Sequence, residues 1–236
     1  MSPSTGRSLS DRLTLSMRDY VLAIIGAVIA LLIIGAIMLI NNSKTPLPYT
    51  DAGVTAAWLP STVKHWDTPI NTYAKKYDID PNLIAILMTM ESGGDAKAKS
   101  GAGAVGLMQL TPLTAGDIAK MYLKKPVTKY DLSDPNTNIE FGTAYLAMLR
   151  DQFGTMQQGP DFLRTVELVA AGYNGGPGTA NALEKGEGLR DTQPVIYSRD
   201  AFNMYRERVS KTSPTFDRWK ERGGTILLDA AKKSQQ

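Results

Sequence analysis

The chain contains no cysteine and a single histidine, His65. Without thiols there is no disulfide, no thiolate metal site and no cysteine nucleophile. One imidazole, in a stretch that reads as linker, argues against a histidine zinc site and a Ser-His-Asp triad, since both need imidazoles set in a folded core. Charge of one sign is scarce too: 26 Lys+Arg against 23 Asp+Glu leave +3 over 236 residues, with no dense basic stripe. That argues against a nucleic-acid binder. The small basic excess suits an anionic cell-wall polymer, and solubility accounts for it equally well. Alternating strand-like runs of useful length and internal repeats are both missing. What remains for acid–base chemistry is carboxylates, lysines and tyrosines. The chain is 43% hydrophobic, enough for a core in one or two domains.

Charge is absent altogether from residues 20–40, YVLAIIGAVIALLIIGAIMLI. A helix of that length crosses about 30 Å of hydrocarbon. The run is longer than the apolar part of a signal peptide and ends in LINNSK without a small-x-small site. It reads as a transmembrane anchor. Arg7, Arg12 and Arg18 precede it and Lys44 alone follows closely, which orients residues 1–19 inside and the remainder outside. Gly26 and Ala30 form a small-x-x-x-small pair, a weak helix-packing signal. Residues 41–67, with Pro46, Pro48 and Pro60, read as a stalk. A domain over 68–210 and a polar tail over 211–236 follow. The expected location is the inner membrane, single-pass, with the domain in the periplasm or cell-wall space.

One helix-start signal recurs: Thr68-Pro69, Asp80-Pro81, Thr111-Pro112 and Asp134-Pro135 each put a capping side chain before proline. The spacing predicts an all-α domain with helices at about 69–77, 81–91, 112–122, 135–152, 161–173, 177–184 and 194–210. Ile139, Gly142, Leu146 and Leu149 share one face of the fourth, and Gly142 reads as a packing glycine.

Ile84, Leu87, Met88 and Glu91 form an apolar stripe that ends in a carboxylate. A carboxyl held against apolar neighbours loses hydration, so its pKa rises and it can serve as a general acid. Alone, such a glutamate is better read as a surface residue at a frayed helix end, and it is the motif around it that reverses this. Ser92-Gly93-Gly94-Asp95 stops the helix, and SGAGAVG at 100–106 lets backbone approach another surface. Gly101, Gly103 and Gly106 also match G-x-G-x-x-G, but a helix precedes them where a dinucleotide site needs a strand. Gln109 can donate to and accept from a sugar, although a surface glutamine fits the position too. Leu107 and Met108 read as core. Tyr173 and Asn174 precede Gly-Gly-Pro-Gly, and the tyrosine offers a ring for stacking and a hydroxyl to orient a carboxyl.

Glu91-Ser92, Ser100 and Gly106-Leu107-Met108-Gln109, with Pro112 after them, resemble the first two motifs of the soluble lytic transglycosylase (SLT-type) domain of the lysozyme-like superfamily. Asn138-Ile139, Gly142 and Tyr145-Leu146 resemble its third. Ala171-Gly172-Tyr173-Asn174 with Gly176-Pro177-Gly178 resembles its Ala-Tyr-Asn-x-Gly-Pro-Gly motif. The resemblance covers about residues 70–185, extending as far as Val209.

It implies a lysozyme-like all-α domain behind the N-terminal transmembrane helix, acting on peptidoglycan glycan strands without metal or organic cofactor. It implies Glu91 as sole catalytic acid, Ser100 near that acid, Gln109 on the substrate, Tyr173 hydrogen-bonded to the glutamate and Asn174 beside it in the cleft. Ser92, Gly106, Met108 and Tyr145 complete the expected substrate-binding set. The chain departs from the pattern at Thr111, where the family often has methionine, and at Gly172, where it usually has alanine. The family's final Glu-Thr-x-x-Tyr-Val motif is poorly matched by Asp191-Thr192-Gln193 and Tyr197-Ser198, which puts Tyr197 in doubt. The implied reaction cuts the MurNAc-β-1,4-GlcNAc bond and leaves a 1,6-anhydro end. A goose-type lysozyme-like hydrolase and an inactive glycan-binding assembly protein are the alternatives. An anchored wall-cutting enzyme would also suit an envelope-spanning secretion machine or a phage, with virion components as partners.

Overall fold

In the computed structural model the described residues are 52–124, 130–154, 160–187 and 192–236. The chain divides into Met1–Pro46 and Leu47–Gln236, and every described residue falls in the second unit. The anchor expected at 20–40 and its cytoplasmic flank lie outside the described residues. Among those described, no helix is long and apolar enough to cross a membrane.

The described structure is helical. Its helices are α1 Ser61–Lys64, α2 Asp67–Tyr77, α3 Pro81–Ser92, α4 Pro112–Asp117 with a π-helical extension Ile118–Tyr122, α5 Pro135–Phe153, α6 Pro160–Gly175, α7 Pro177–Glu184 and α8 Gln193–Glu207. Two more close the chain, α9 Pro214–Trp219 and, after a π turn, α10 Thr225–Ser234. Outside the helices only isolated bridges form, Lys99 with Val105 and Val105 with Leu110.

Capping chemistry sets three helix starts as expected. Asp80, Thr111 and Asp134 accept from the backbone N–H of Asn82, Thr114 and Thr137, each with proline in the first turn. The fourth differs: α2 begins at Asp67 with no side-chain cap, so Thr68-Pro69 lies inside its first turn, where proline costs no hydrogen bond. Ser213-Pro214 supplies a further start of the same kind, with Ser213 capping Phe216.

Helix α3 is the centre of the core. Rather than one stripe, it is buried all round: Leu83, Ile84, Ala85, Ile86, Leu87 and Met88 have no exposed surface. Nearly every position from 83 to 90 is apolar, which is the composition of an interior helix. Truncating one of its leucines would cost about 2–5 kcal/mol. Ile139, Gly142, Leu146 and Leu149 of α5 are all buried, as their spacing predicts. A Cβ on Gly142 would come 2.7 Å from Met108 Cβ, so this glycine is a packing residue.

The described part of the expected stalk is instead part of this fold. Ala56, Leu59 and Val63 are buried in the same core, and Asn82 Oδ1 accepts from the N–H groups of Thr55 and Ala56 at 2.9 and 3.0 Å. Pro46, Pro48 and Pro60 read as marks of a linker, but the apolar residues on either side of Pro60 gain by burial. His65 is exposed and meets Trp66 edge-on at 4.9 Å. The tail docks too: Phe216, Leu228 and Ala231 are buried, and Phe216 lies between Trp58 and Trp219 at 5.3 and 5.7 Å.

Candidate active site

Helix α3 ends one residue after Glu91. Gly93 (φ 64°) and Gly94 (φ 92°) turn the chain through the left-handed region. Both also lie too close to neighbouring backbone for a side chain: a Cβ would sit 2.8 Å from Leu227 C at Gly93 and 2.5 Å from Thr62 O at Gly94. Their carbonyls are gripped. Thr62 Oγ1 donates to Gly93 O at 2.6 Å, and Trp66 Nε1 and Gln235 Nε2 donate to Gly94 O at 3.0 Å each. Residues from α1, from the turn before α2 and from the end of the tail thus clasp the turn behind Glu91. Ser92 belongs to this scaffold. It is 1% exposed, donates to Leu107 O at 2.7 Å and accepts from Gly94 N–H at 3.1 Å, so it is not available to a substrate as expected.

The next segment forms the wall beside the acid. Ser100 is exposed, and its Oγ accepts from Ala104 N–H at 3.0 Å across a tight turn. The key to Gly106-Leu107-Met108-Gln109 is Asn138 on α5, fully buried, whose role no local sequence signal reveals. Asn138 Oδ1 accepts from Met108 N–H at 2.7 Å, and Nδ2 donates to Val105 O and Leu132 O at 2.9 and 2.8 Å. A Cβ on Gly106 would strike that amide at 2.4 Å. Gly106 and Met108 are both buried, so their part is packing rather than the expected substrate contact. Gln109 adopts φ 46°, a conformation that costs a non-glycine residue roughly 1–2 kcal/mol. Its Nε2 donates to Gly106 O at 3.0 Å.

Three tyrosines converge here. Tyr197, from α8, donates to Glu91 Oε1 at 2.7 Å. Tyr173 was expected in that place, but its hydroxyl donates to Met108 O at 2.8 Å. Tyr173 projects from the last turn of α6 over the Gly106–Gln109 wall, whereas α8 packs along α3 and delivers Tyr197 to the acid. Tyr145 donates to Gly172 O at 3.1 Å, and its ring lies 5.2 Å from that of Tyr173. Gly172, in place of the family's alanine, is also accounted for: a Cβ there would meet Leu149 Cδ2 at 2.8 Å.

Glu91, Gln109, Tyr145, Tyr173 and Asn174 line one cavity of about 280 Å³, together with Ala104, Leu110, Thr111, Thr114 and Gly176. Glu91 is the acidic side chain in that lining among the described residues. Ser92, Ser100, Gly106 and Met108 are not in it. Asn174 Oδ1 is buried without a hydrogen-bond partner, and Thr111 and Thr114 hydroxyls bond each other at 2.9 Å. No cluster of His, Asp or Glu among the described residues could hold a metal ion.

Burial pushes the Glu91 carboxyl up to about 7, opposed by the bond from Tyr197. Burial, with the neighbouring Glu91 charge second, holds Tyr173 and Tyr197 well above the ordinary phenol value, so both stay neutral donors. Burial, with Asp117 adding to it, pushes Tyr145 up to about 12. The site is one carboxyl poised to be either protonated or ionised near neutral pH, with a phenol on one of its oxygens.

Residues 68–196 match the family described as Transglycosylase SLT domain. The chain is 37% identical over 114 residues to membrane-bound lytic murein transglycosylase E of Buchnera aphidicola subsp. Acyrthosiphon pisum (strain APS), covering 48% of this chain and 51% of that protein. It is 41% identical over 109 residues to membrane-bound lytic murein transglycosylase C of Serratia proteamaculans (strain 568), covering 45% and 30%. It thus spans about half or less of the length of these relatives. Among solved structures, the 70 kDa soluble lytic transglycosylase of Escherichia coli is similar at 26% identity and a TM-score of 0.48, over 64% of this chain and 27% of that one.

Proposed function

The chain belongs to the transglycosylase SLT domain family, and from that premise we propose that it is a peptidoglycan lytic transglycosylase with Glu91 as general acid and base. The observation that carries this reading is Glu91 itself. It lies in the cavity wall with its pKa pushed to about 7 by burial and its Oε1 held by Tyr197. A proton on Oε2 passes to the oxygen bridging MurNAc and GlcNAc, and the C1–O bond breaks. Positive charge develops at the anomeric carbon of MurNAc, and the substrate's own N-acetyl carbonyl oxygen adds to it. Such assistance replaces the second carboxylate of ordinary glycosidases. Glu91, now ionised and stabilised by the Tyr197 hydroxyl, takes the proton from the MurNAc C6 hydroxyl. That oxygen displaces the N-acetyl oxygen from C1 and closes a 1,6-anhydro ring. No water is consumed, and Glu91 ends protonated as it began.

The glycan lies along the cavity, within reach of Gln109, Thr111, Thr114, Tyr145, Tyr173 and Asn174. The unpartnered Asn174 Oδ1 accepts from a substrate N–H or hydroxyl, which relieves the cost of a buried lone acceptor. Residues 20–40 anchor the domain to the inner membrane on its outer side, which restricts cutting to wall within reach of the tether. The uncharged run, the arginines before it and the membrane-bound names of the relatives support this.

The test is the mass of the muropeptides released from purified sacculi by the protein lacking residues 1–46. A MurNAc terminus one water lighter than the reducing sugar is the expected product. A plain reducing terminus overturns the reading in favour of the goose-type hydrolase, and release of nothing favours the binding protein.

A further inference from the structure

Helices α3 and α8 share a second polar junction that the proposed chemistry does not use. Asp80, 6% exposed, caps α3 through the N–H of Asn82 at 2.8 Å. Its other oxygen accepts from the Tyr205 hydroxyl at 2.5 Å. Arg208, 5% exposed, places Nε 3.5 Å from that oxygen and donates Nη1 to Tyr205 O at 2.8 Å. Its guanidinium also lies 3.9 Å from the centre of the Tyr205 ring. A carboxylate and a guanidinium are therefore closed off from water together with a phenol.

Such a group is intolerant of sliding. Moving α8 by one turn along α3 would leave charges buried and unpaired, at a cost that hydrophobic contacts do not impose. Hydrophobic contacts between these helices set proximity; the polar cluster sets register. The geometry ties this to the acid. Asp80 lies at the start of α3 and Glu91 near its end, about 16 Å further on, while Tyr205 lies about 12 Å beyond Tyr197 along α8. The helices run antiparallel, with Tyr205 on Asp80 at one end and Tyr197 on Glu91 at the other.

We infer that Asp80, Tyr205 and Arg208 form a positioning site for the Glu91–Tyr197 pair, fixing where α8 lies along α3 and so holding the Tyr197 hydroxyl on the acid. None of the three lines the cavity; they act through Tyr197. The consequence for catalysis rests on the function proposed above, whereas the consequence for the Glu91 carboxyl does not.

The experiment is a double-mutant cycle of Tyr205→Phe with Tyr197→Phe, read two ways. Titration of the Glu91 carboxyl by carbon-13 NMR is expected to give a higher pKa in Tyr205→Phe than in the parent, and no difference between Tyr197→Phe and the double variant. On a soluble glycan, Tyr205→Phe is expected to lower kcat about tenfold with KM unchanged in the parent background, and to cause no further loss in Tyr197→Phe. An unmoved or lowered Glu91 value, or equal effects in both backgrounds, overturns the inference. A parent without lytic activity defeats the proposed function and leaves the titration to decide the positioning role. If Tyr205→Phe does not fold, Arg208→Lys takes its place in the cycle, since it keeps the charge beside Asp80 but loses the guanidinium fork.

Discussion

The Tyr197 hydroxyl donates to Glu91 Oε1 at 2.7 Å across 106 residues of chain. This bond opposes the rise in pKa that burial imposes on the carboxyl. A general acid works only while protonated, so the rate should fall as pH rises through about 7. Without the Tyr197 hydroxyl the opposing influence is gone and the pKa rises further. In Tyr197→Phe the alkaline limb of the kcat/KM profile should therefore move to higher pH, while kcat drops by about tenfold. A limb that stays in place separates the phenol from the acid.

Glu91→Gln should abolish lysis, with a loss of at least about 100-fold, since among the described residues no other acidic side chain lines the cavity. The amide keeps an oxygen for Tyr197, so the variant should fold. Turbidity clearing of purified sacculi measures the loss, and full clearing would remove Glu91 from the mechanism.

The same substitution should stabilise the protein in a pH-dependent way. In the folded state the Glu91 pKa is raised from 4.5 to about 7. The folded protein then binds more protons than the unfolded one between those values, so stability is lost as pH rises through them. The penalty above pH 7 is about 3 kcal/mol, at the conversion of about 1.4 kcal/mol per pKa unit. Urea unfolding should show Glu91→Gln more stable than the parent at pH 8 by up to that amount, with the gap closing toward pH 4. Parallel curves at the two pH values would contradict the raised carboxyl.

Asn138→Ala leaves Met108 N–H and Leu132 O without their partner, while Val105 O keeps the Leu110 N–H. It should cost about 2 kcal/mol or more, since each orphaned group costs about 1–3 kcal/mol. It should also loosen the wall that carries Gln109. Denaturation midpoint and lytic rate should fall together; a loss under about 1 kcal/mol would mean that this amide is not the wall's anchor.

Local signals made much of this legible in sequence. Asp80, Thr111 and Asp134 before proline placed three helix starts because a cap and its proline act within one turn. Glu91 is legible because a glycine-rich motif that resembles the family's follows the apolar helix; the helix alone fits a surface glutamate as well or better. Tyr197 was not, because its partner is set by packing of α8 on α3, and its own neighbourhood matches the family motif poorly. Tyr173 looked like the better partner for the opposite reason: its motif is strong, yet its hydroxyl is consumed by Met108 O. Ser92 and Met108 share the motif of the acid but not its exposure, which a linear pattern does not encode. Ala56, Leu59 and Val63 were hidden by flanking prolines.

The clasp on Gly93 and Gly94 bears on where this domain begins and ends. Thr62 and Trp66 reach it from before the family-matched stretch 68–196, and Gln235 from well after it. A recombinant fragment trimmed to those family borders would discard every one of these donors. It would keep the side chains that line the cavity but lose Tyr197 and most of α8 as well, freeing the loop on which its acid hangs. Dead protein from such a fragment would then report on careless trimming rather than on the enzyme.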